Sequence, residues 1–533
     1  MRIKFLSLII LLLPYISSAQ LSPETFRLAN NDLSKTTNSK SSSPLSNSIS
    51  EIEISGDTVW IGTSRGLSYT TDEGASWTNY FGDDVFGTEG IYALTIYHGI
   101  IIAATGHSET GIGGESVPTG SGLRISTDGG SSWITVPQST DNPGDSSITY
   151  GINQLRILPV TVKQQNVTYD VAVINGMVYT TSWAGGLRRA SLQNLIDAPE
   201  KPWERVVLPP DYLDSIKPTD TLHFSIQPVA GAFGPEEYLN HVAFGVAVSD
   251  SGHIFVGTAN GINKSTDGGI SWVKFNHQNQ RNPISGNFIT SLDYDNSTHT
   301  IWATTWPAID AYAYYGVSES SNGGASWQVF LSGEKGHGFG FLQKGNQANV
   351  MVATDNGLFR TTDNGQSWLL PGQIRQENSG NSIETSVYYS AAAKSISASE
   401  SQIWLGSSNG LAMLNEGSET WDGSWKVFLA SQPLNSSNNL SYAMPNPFNP
   451  DFRNLRIKYS VNKSGAAITI RILNFNMQIV RTVLQNAARM SGENLESWDG
   501  KDENGTVVPN GVYFYTIEEN NNFNSYGKIM VIR

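Results

Sequence analysis

Short apolar runs that end in a small residue recur through most of the chain, each followed by a Gly-apolar pair and a polar turn. The unit is an apolar strand, then Gly-apolar, then Ser/Thr-x-Asp-x-Gly-x-Ser-Trp, then another strand. It stands as VWIGTSRGLSYTTDEGASWTNY, with Thr70, Asp72, Gly74 and Trp77. It returns with Ser126, Asp128, Gly130 and Trp133, with Ser265, Asp267, Gly269 and Trp272, and with Thr361, Asp363, Gly365 and Trp368. One copy carries Asn322 in place of Asp, between Ser320 and Trp327. Two further copies are eroded: VYTTSWAGGLRRAS followed by Trp203, and IWLGSSNGLAML followed by Trp425.

The shortest interval between these tryptophans, Trp327 to Trp368, is 41 residues. Four strands of about 5–6 residues with their turns fill such an interval. Each unit is therefore predicted to be a four-stranded antiparallel meander, and the longer intervals carry insertions. The expected first strands are SISEIEIS, GIYALTIY, INQLRILP, VAFGVAVS, FITSLDYD, GFGFLQK and KSISASES. Seven such segments match seven tryptophans. The fold class read from this pattern is all-β: a seven-bladed β-propeller over residues 48–430, then a small Ig-like antiparallel β-sandwich.

The turn has a physical logic. A Ser/Thr hydroxyl and a carboxylate two residues on both accept N–H groups of one tight turn. The following Gly takes positive φ without penalty, and the Trp buries a large apolar face. With its five good copies, the chain resembles Asp-box (BNR) repeat propellers of the sialidase, sortilin and photosystem II assembly-factor type. The resemblance implies that Asp72, Asp128, Asp267, Asn322 and Asp363, with Trp77, Trp133, Trp272, Trp327 and Trp368, are structural residues on a rim remote from any ligand.

After the polar segment 431–441 the pattern changes. NPFNP, then WDG-x-D-x-NG, then P-x-GVYFY and a basic-apolar last strand span residues 442–533. Asn-Gly and Asp-Gly turns between alternating strands predict a small sandwich. This stretch resembles the sorting domain of type IX secretion and the Ig-like domain of flagellar hook-capping proteins. The matching positions include Asn446, Pro447, Phe448, Trp498, Asp499, Gly511 and Tyr513. The resemblance implies passage through the outer membrane with the type IX machinery as a partner. WDGKDENG is read as an Asn-Gly turn rather than a calcium loop, because its spacing is not that of an EF-hand.

The N-terminus reads as a signal peptide over residues 1–19. Arg2 and Lys4 precede the apolar run Phe5–Ile16, and small residues Ser17 and Ala19 flank a cleavage point. Residues 20–47 read as a flexible leader. The expected location is extracellular or cell-surface, with no membrane span after cleavage.

Composition removes several classes of function. The formal net charge is −14, so phosphate backbones are repelled and nucleic acid is not expected as a partner. No cysteine is present, which excludes disulfides, thiolate catalysis and Cys-ligated zinc. No metal or cofactor is expected. H-E-x-x-H, P-loop, GxSxG and dinucleotide fingerprints are all absent from the sequence.

Propeller ligands usually sit at the channel mouth on the face of the insertions. Expected ligand-binding residues there are His107, Glu109 and Glu115 in one insertion and Trp306, Asp310, Tyr312, Tyr314 and Tyr315 in another, with Trp183 between. Aromatic faces with a few carboxylates suit a carbohydrate or peptide. Arg156 is read as a channel residue. No catalytic residue is assigned. The preferred reading is a non-catalytic binding or scaffold protein; the alternative is a polysaccharide hydrolase or lyase using carboxylates on the same face.

Overall fold

The computed structural model describes residues 40–111, 113–227, 238–307, 313–343, 348–377, 381–430 and 441–533. The segment read as a signal peptide, residues 20–39 of the segment read as a leader, most of the segment read as a linker, and Asp310 and Tyr312 lie outside them. Two compact units form: Met1–Pro371 with Thr385–Leu411, and Gly372–Glu384 with Ala412–Arg533. Among the described residues the structure is almost wholly antiparallel sheet, and no helix is long and apolar enough to cross a membrane.

In the first unit, sheets of strands in chain order follow one another. The first runs Ile49–Ser55, Thr58–Thr63, Gly66–Thr70 and Trp77–Tyr80. The inner strands of successive sheets are Ile49–Ser55, Gly90–Tyr97, Asp170–Ile174, Ala243–Val248, Phe288–Asp295, Gly336–Phe341 and Tyr388–Ser395. Each packs beside the next, and the last packs beside the first. The unit is a closed ring of radial sheets, the arrangement of a β-propeller.

Two expected inner strands are displaced. INQLRILP supplies Asn153–Ile157, which belongs to a separate sheet with Ser147–Tyr150 and, in parallel, Ser225–Ile226. The third inner strand is instead Asp170–Ile174, two residues before its partner Met177–Ser182. Arg156 is accordingly exposed on that separate sheet and is no channel residue. KSISASES begins only where the last inner strand ends, at Lys394–Ser395. The end of the segment read as a leader is also held in place: Lys40–Ser41 pairs with Trp77–Thr78, and the Ser46 hydroxyl meets that of Ser64 at 2.7 Å.

The repeated turn is built the same way each time. Ser126 Oγ donates to Asp128 Oδ1 at 2.9 Å and accepts Gly130 N–H at 2.8 Å; Asp128 accepts the amide and hydroxyl of Ser132 at 2.8 and 2.6 Å. Thr70–Asp72–Ser76 and Thr361–Asp363–Ser367 repeat this set. The Ser76 hydroxyl and amide hold the Asp72 carboxyl down at about 2, so the turn stays charged through any physiological pH. Gly130 has φ +90°, and a Cβ there would lie 2.6 Å from Tyr80 Oη and 2.7 Å from Trp60. In the eroded third copy the helix Leu192–Asp197, capped by Ser191, replaces the turn.

The turn tryptophans seal each sheet against the one before it. Trp133 meets Trp60 edge-on at 6.2 Å, Trp368 meets Trp302 at 6.4 Å, and Trp77 meets Trp404 at 6.4 Å across the ring closure. Trp272 joins Tyr179 in one core cluster and Trp327 joins Phe255 in another. The indole N–H groups of Trp203, Trp272, Trp327 and Trp368 find no acceptor, so these side chains act through their apolar area. Ser126→Ala is expected to cost about 1–3 kcal/mol, because the buried Gly130 N–H loses its acceptor. Chemical denaturation of that variant beside Ser126→Thr, which keeps the hydroxyl, checks this.

In the second unit two sheets face each other, one of Ser441–Met444, Leu455–Val461 and Gly492–Trp498, the other of Ile479–Arg489, Ala466–Leu473, Gly511–Glu519 and Asn522–Val531. Leu455, Ile457, Ile468, Ile470, Ile517 and Ile529 fill the space between. Phe448, Trp498 and Tyr513 meet in sequence as tilted ring pairs, with centroids 5.8 and 6.0 Å apart. The NPFNP segment docks on the last strand: Asn446 bonds Lys528 O and Met530 N at 2.7 and 2.9 Å, and Phe448 pairs in parallel with Val531. This covers part of an otherwise open strand edge. Asp499 and Asp502 accept the amides of Lys501, Asn504 and Thr506, the work of tight turns.

Candidate functional site: the channel of the ring

The seven inner strands enclose a channel of about 490 Å³. Strand register assigns its wall to layers. In six of the seven inner strands a β-bulge interrupts pairing with the second strand, and the extra residues are Ser50, Tyr92, Phe244, Thr290, His337 and Tyr389. Tyr169 takes the corresponding place in the third sheet, immediately before Asp170. All seven line the channel. A bulge re-aims a side chain that regular pleating would send elsewhere. The result is a collar rich in aromatic rings, near the end of the channel where the connections between sheets arrive.

Below the collar lie two layers of carboxylates. Glu51 pairs with Gly62 and Asp170 with Thr181, which are equivalent positions of their second strands. Glu53 and Asp293 pair with Trp60 and Trp302, again equivalent. The remaining positions of the lower layer are Thr95, Ala172, Ala247, Gly340 and Ala392, all small. Among the described residues no lysine or arginine lines the channel.

Burial in this enclosure disfavours charge. Burial first, then Asp170, Glu53 and Asp293, raise the Glu51 carboxyl well above its ordinary range. Burial, Asp293 and Asp170 push Glu53 up to about 8. Asp293 is raised to about 7 by burial, against the pull of the Tyr294 amide at 2.7 Å. Asp170 is raised to about 6 by burial and restrained by the amides of Val246 and Val171 at 2.8 and 2.7 Å. Among the described residues Glu51 and Glu53 find no hydrogen-bond or ion-pair partner. All four retain partial exposure, and the channel they line receives that exposed surface.

The residues expected to bind ligand fall into separate groups. Trp183, Trp306 and Tyr315 pack with the collar residues Tyr92, Tyr169 and Phe244. Trp306 is buried, donates its indole N–H to Gly336 O at 3.1 Å, and carries the Lys335 ammonium 4.2 Å over its ring. Beside it His337 bonds Asp355 at 2.6 Å. Tyr314 is exposed. His107 lies between two carboxylates, Nδ1 2.9 Å from Glu89 and Nε2 3.1 Å from Glu109. Partial burial lowers its affinity for a proton, but the bonds to Glu89 and Glu109 outweigh this and raise its pKa. Glu109 is also bonded by Gln164 at 2.8 Å. Glu115 is exposed near the tip of the same hairpin. Glu51, Glu53, Asp170 and Asp293 were not among the expected residues. Acidic residues inside the apolar strands SISEIEIS and FITSLDYD were the available signal.

An all-β chain with a closed ring of radial sheets and an Ig-like sandwich is thus defined. Residues 451–522 match the family described as the FlgD Ig-like domain. No curated protein sequence matches the chain. Among solved structures it is similar to PorZ, a surface component of the type-IX secretion system of Porphyromonas gingivalis, at 13% identity and a TM-score of 0.36, covering 91% of this chain and 66% of that one. The chain thus spans just under two thirds of PorZ. YCF48 from Cyanidioschyzon merolae is similar at 15% identity and a TM-score of 0.38, covering 72% of this chain and 95% of that one. A GH74 enzyme from Niastella koreensis is similar at 12% identity and a TM-score of 0.45, covering 91% of this chain and 72% of that one. Likenesses this loose carry nothing about activity or partner.

Proposed function

We propose that the chain is an exported, cell-surface or extracellular β-propeller of seven Asp-box blades that binds its ligand without transforming it, and that its C-terminal domain delivers it through type IX secretion. The observation that carries the binding reading is the aromatic collar formed by bulged residues at the channel mouth, where the long connections also gather. Of the carboxylates a hydrolase reading would use, Glu109 is engaged by His107 and Gln164, Glu115 is exposed, and Asp310 lies outside the described residues. The delivery reading rests on the NPFNP, WDG and GVYFY motifs, whose residues meet at one end of the sandwich.

Expression of the full chain and of a variant lacking residues 442–533 in a bacterium with type IX secretion tests the delivery. The full chain is expected at the surface or in the medium and the truncated one in the periplasm; equal export of both overturns the reading. Glycan and peptide arrays, with turnover assays on every hit, test binding against catalysis.

A further inference from the structure

We infer that the channel is a binding site for a linear oligoamine, whose ammonium groups sit between the carboxylate layers and whose alkyl chain threads the aromatic collar. The inference rests on the binding reading above and names its ligand class.

Three observations converge. Glu51 and Glu53 are walled in by the ring and find no hydrogen-bond or ion-pair partner among the described residues, so no cation of the protein stands beside them to favour their ionised form. Buried carboxylates without partners are costly, and here two more, Asp170 and Asp293, face the same enclosure. They come from three alternate sheets, the first, third and fifth, so they surround the channel instead of crowding one wall. Second, the two layers are two residues apart along the strand, about 6.6 Å at the usual rise. That separation suits cations joined by a short alkyl chain. A compact metal ion is a poorer fit: no three His, Asp or Glu side chains among the described residues converge to hold one. Third, the way in passes rings, and aromatic faces attract ammonium groups. The collar region already holds one such pair, the Lys335 ammonium over Trp306.

Titration calorimetry of the full chain with spermidine at low salt tests this. Saturable one-to-one binding is expected, at least tenfold tighter than for n-butylamine, which spans one layer only. The Glu51→Gln/Glu53→Gln double variant is expected to lose at least tenfold in affinity while melting no lower than the parent, because neither carboxylate has a partner to lose. Glu200→Gln, exposed beyond the helix Leu192–Asp197 and outside the channel lining, is expected to leave affinity unchanged. Absence of binding at millimolar spermidine, equal affinity in the double variant, equal affinity for n-butylamine, or calcium competing at equal concentration each overturns it. If spermidine fails while an array ligand binds the same protein, the oligoamine inference falls and the binding function stands.

Discussion

Trp272→Ala is expected to destabilise the ring by about 3–5 kcal/mol, the cost of emptying a large aromatic site in a packed interior. Trp272 is 1% exposed and sits in a cluster with Tyr179, Val206, Ile254 and Val256, so the cavity opens between two sheets. Its indole N–H has no acceptor. The loss is therefore one of area and contact, and Trp272→Phe is expected to recover a large part of it. The adjoining Asp267→Asn is expected to change stability by about 0.5 kcal/mol or less. The turn of the next sheet already works with an amide: Asn322 Oδ1 accepts Ser326 N–H at 2.9 Å and its Nδ2 donates to Ser326 Oγ at 2.8 Å. Guanidinium unfolding of the three variants separates the roles. Equal losses for Trp272→Ala and Asp267→Asn would assign the stability to the turn and not to the indole.

The channel carboxylates make the ring more stable in mild acid than in mild base. Glu53 rises from 4.5 to about 8, Asp293 from 3.8 to about 7 and Asp170 from 3.8 to about 6. A raised carboxyl pKa means that the folded state holds the proton more tightly than the unfolded chain. The associated stability is full below about pH 4, declines as pH rises through the window of these values, and is gone above about pH 8. Glu53→Gln removes the largest of the numbered shifts. At pH 8.5 it is expected to stabilise the ring by about 2–3 kcal/mol, discounted from the full linkage because water in the channel screens the charge. At pH 4.5 it is expected to be nearly neutral. Melting temperatures of parent and variant across that range decide it, and parallel curves would sink the argument.

Much of this architecture was legible because the repeat carries its own geometry. The Ser/Thr-x-Asp-x-Gly spacing dictates the hydrogen bonds of Ser126, Asp128 and Gly130, and the Trp at its end marks the surface that packs on the preceding sheet. The third inner strand was misplaced for a physical reason. Asn153–Ile157 alternates buried and exposed, which is a good strand pattern, but it lies in an insertion. VAVINGMVYT holds the better cue, since an inner strand must reach the second through a tight turn. The carboxylate layers were hidden for another reason. Both faces of an inner strand are covered by neighbouring sheets, so alternation does not say which residue borders the channel, and the bulges that set the collar leave no mark on composition.

The seam where the ring shuts joins residues far apart in sequence. Ser390 Oγ donates to Ile49 O across 341 positions, and Lys394 reaches Gly56 O at 3.0 Å. Until Tyr388–Ser395 has been synthesised, Ile49–Ser55 has no neighbour on that side and the toroid stays open. Closing the propeller's ring is thus tied to near-completion of its chain, so its last inner strand is a late and long-range step of folding.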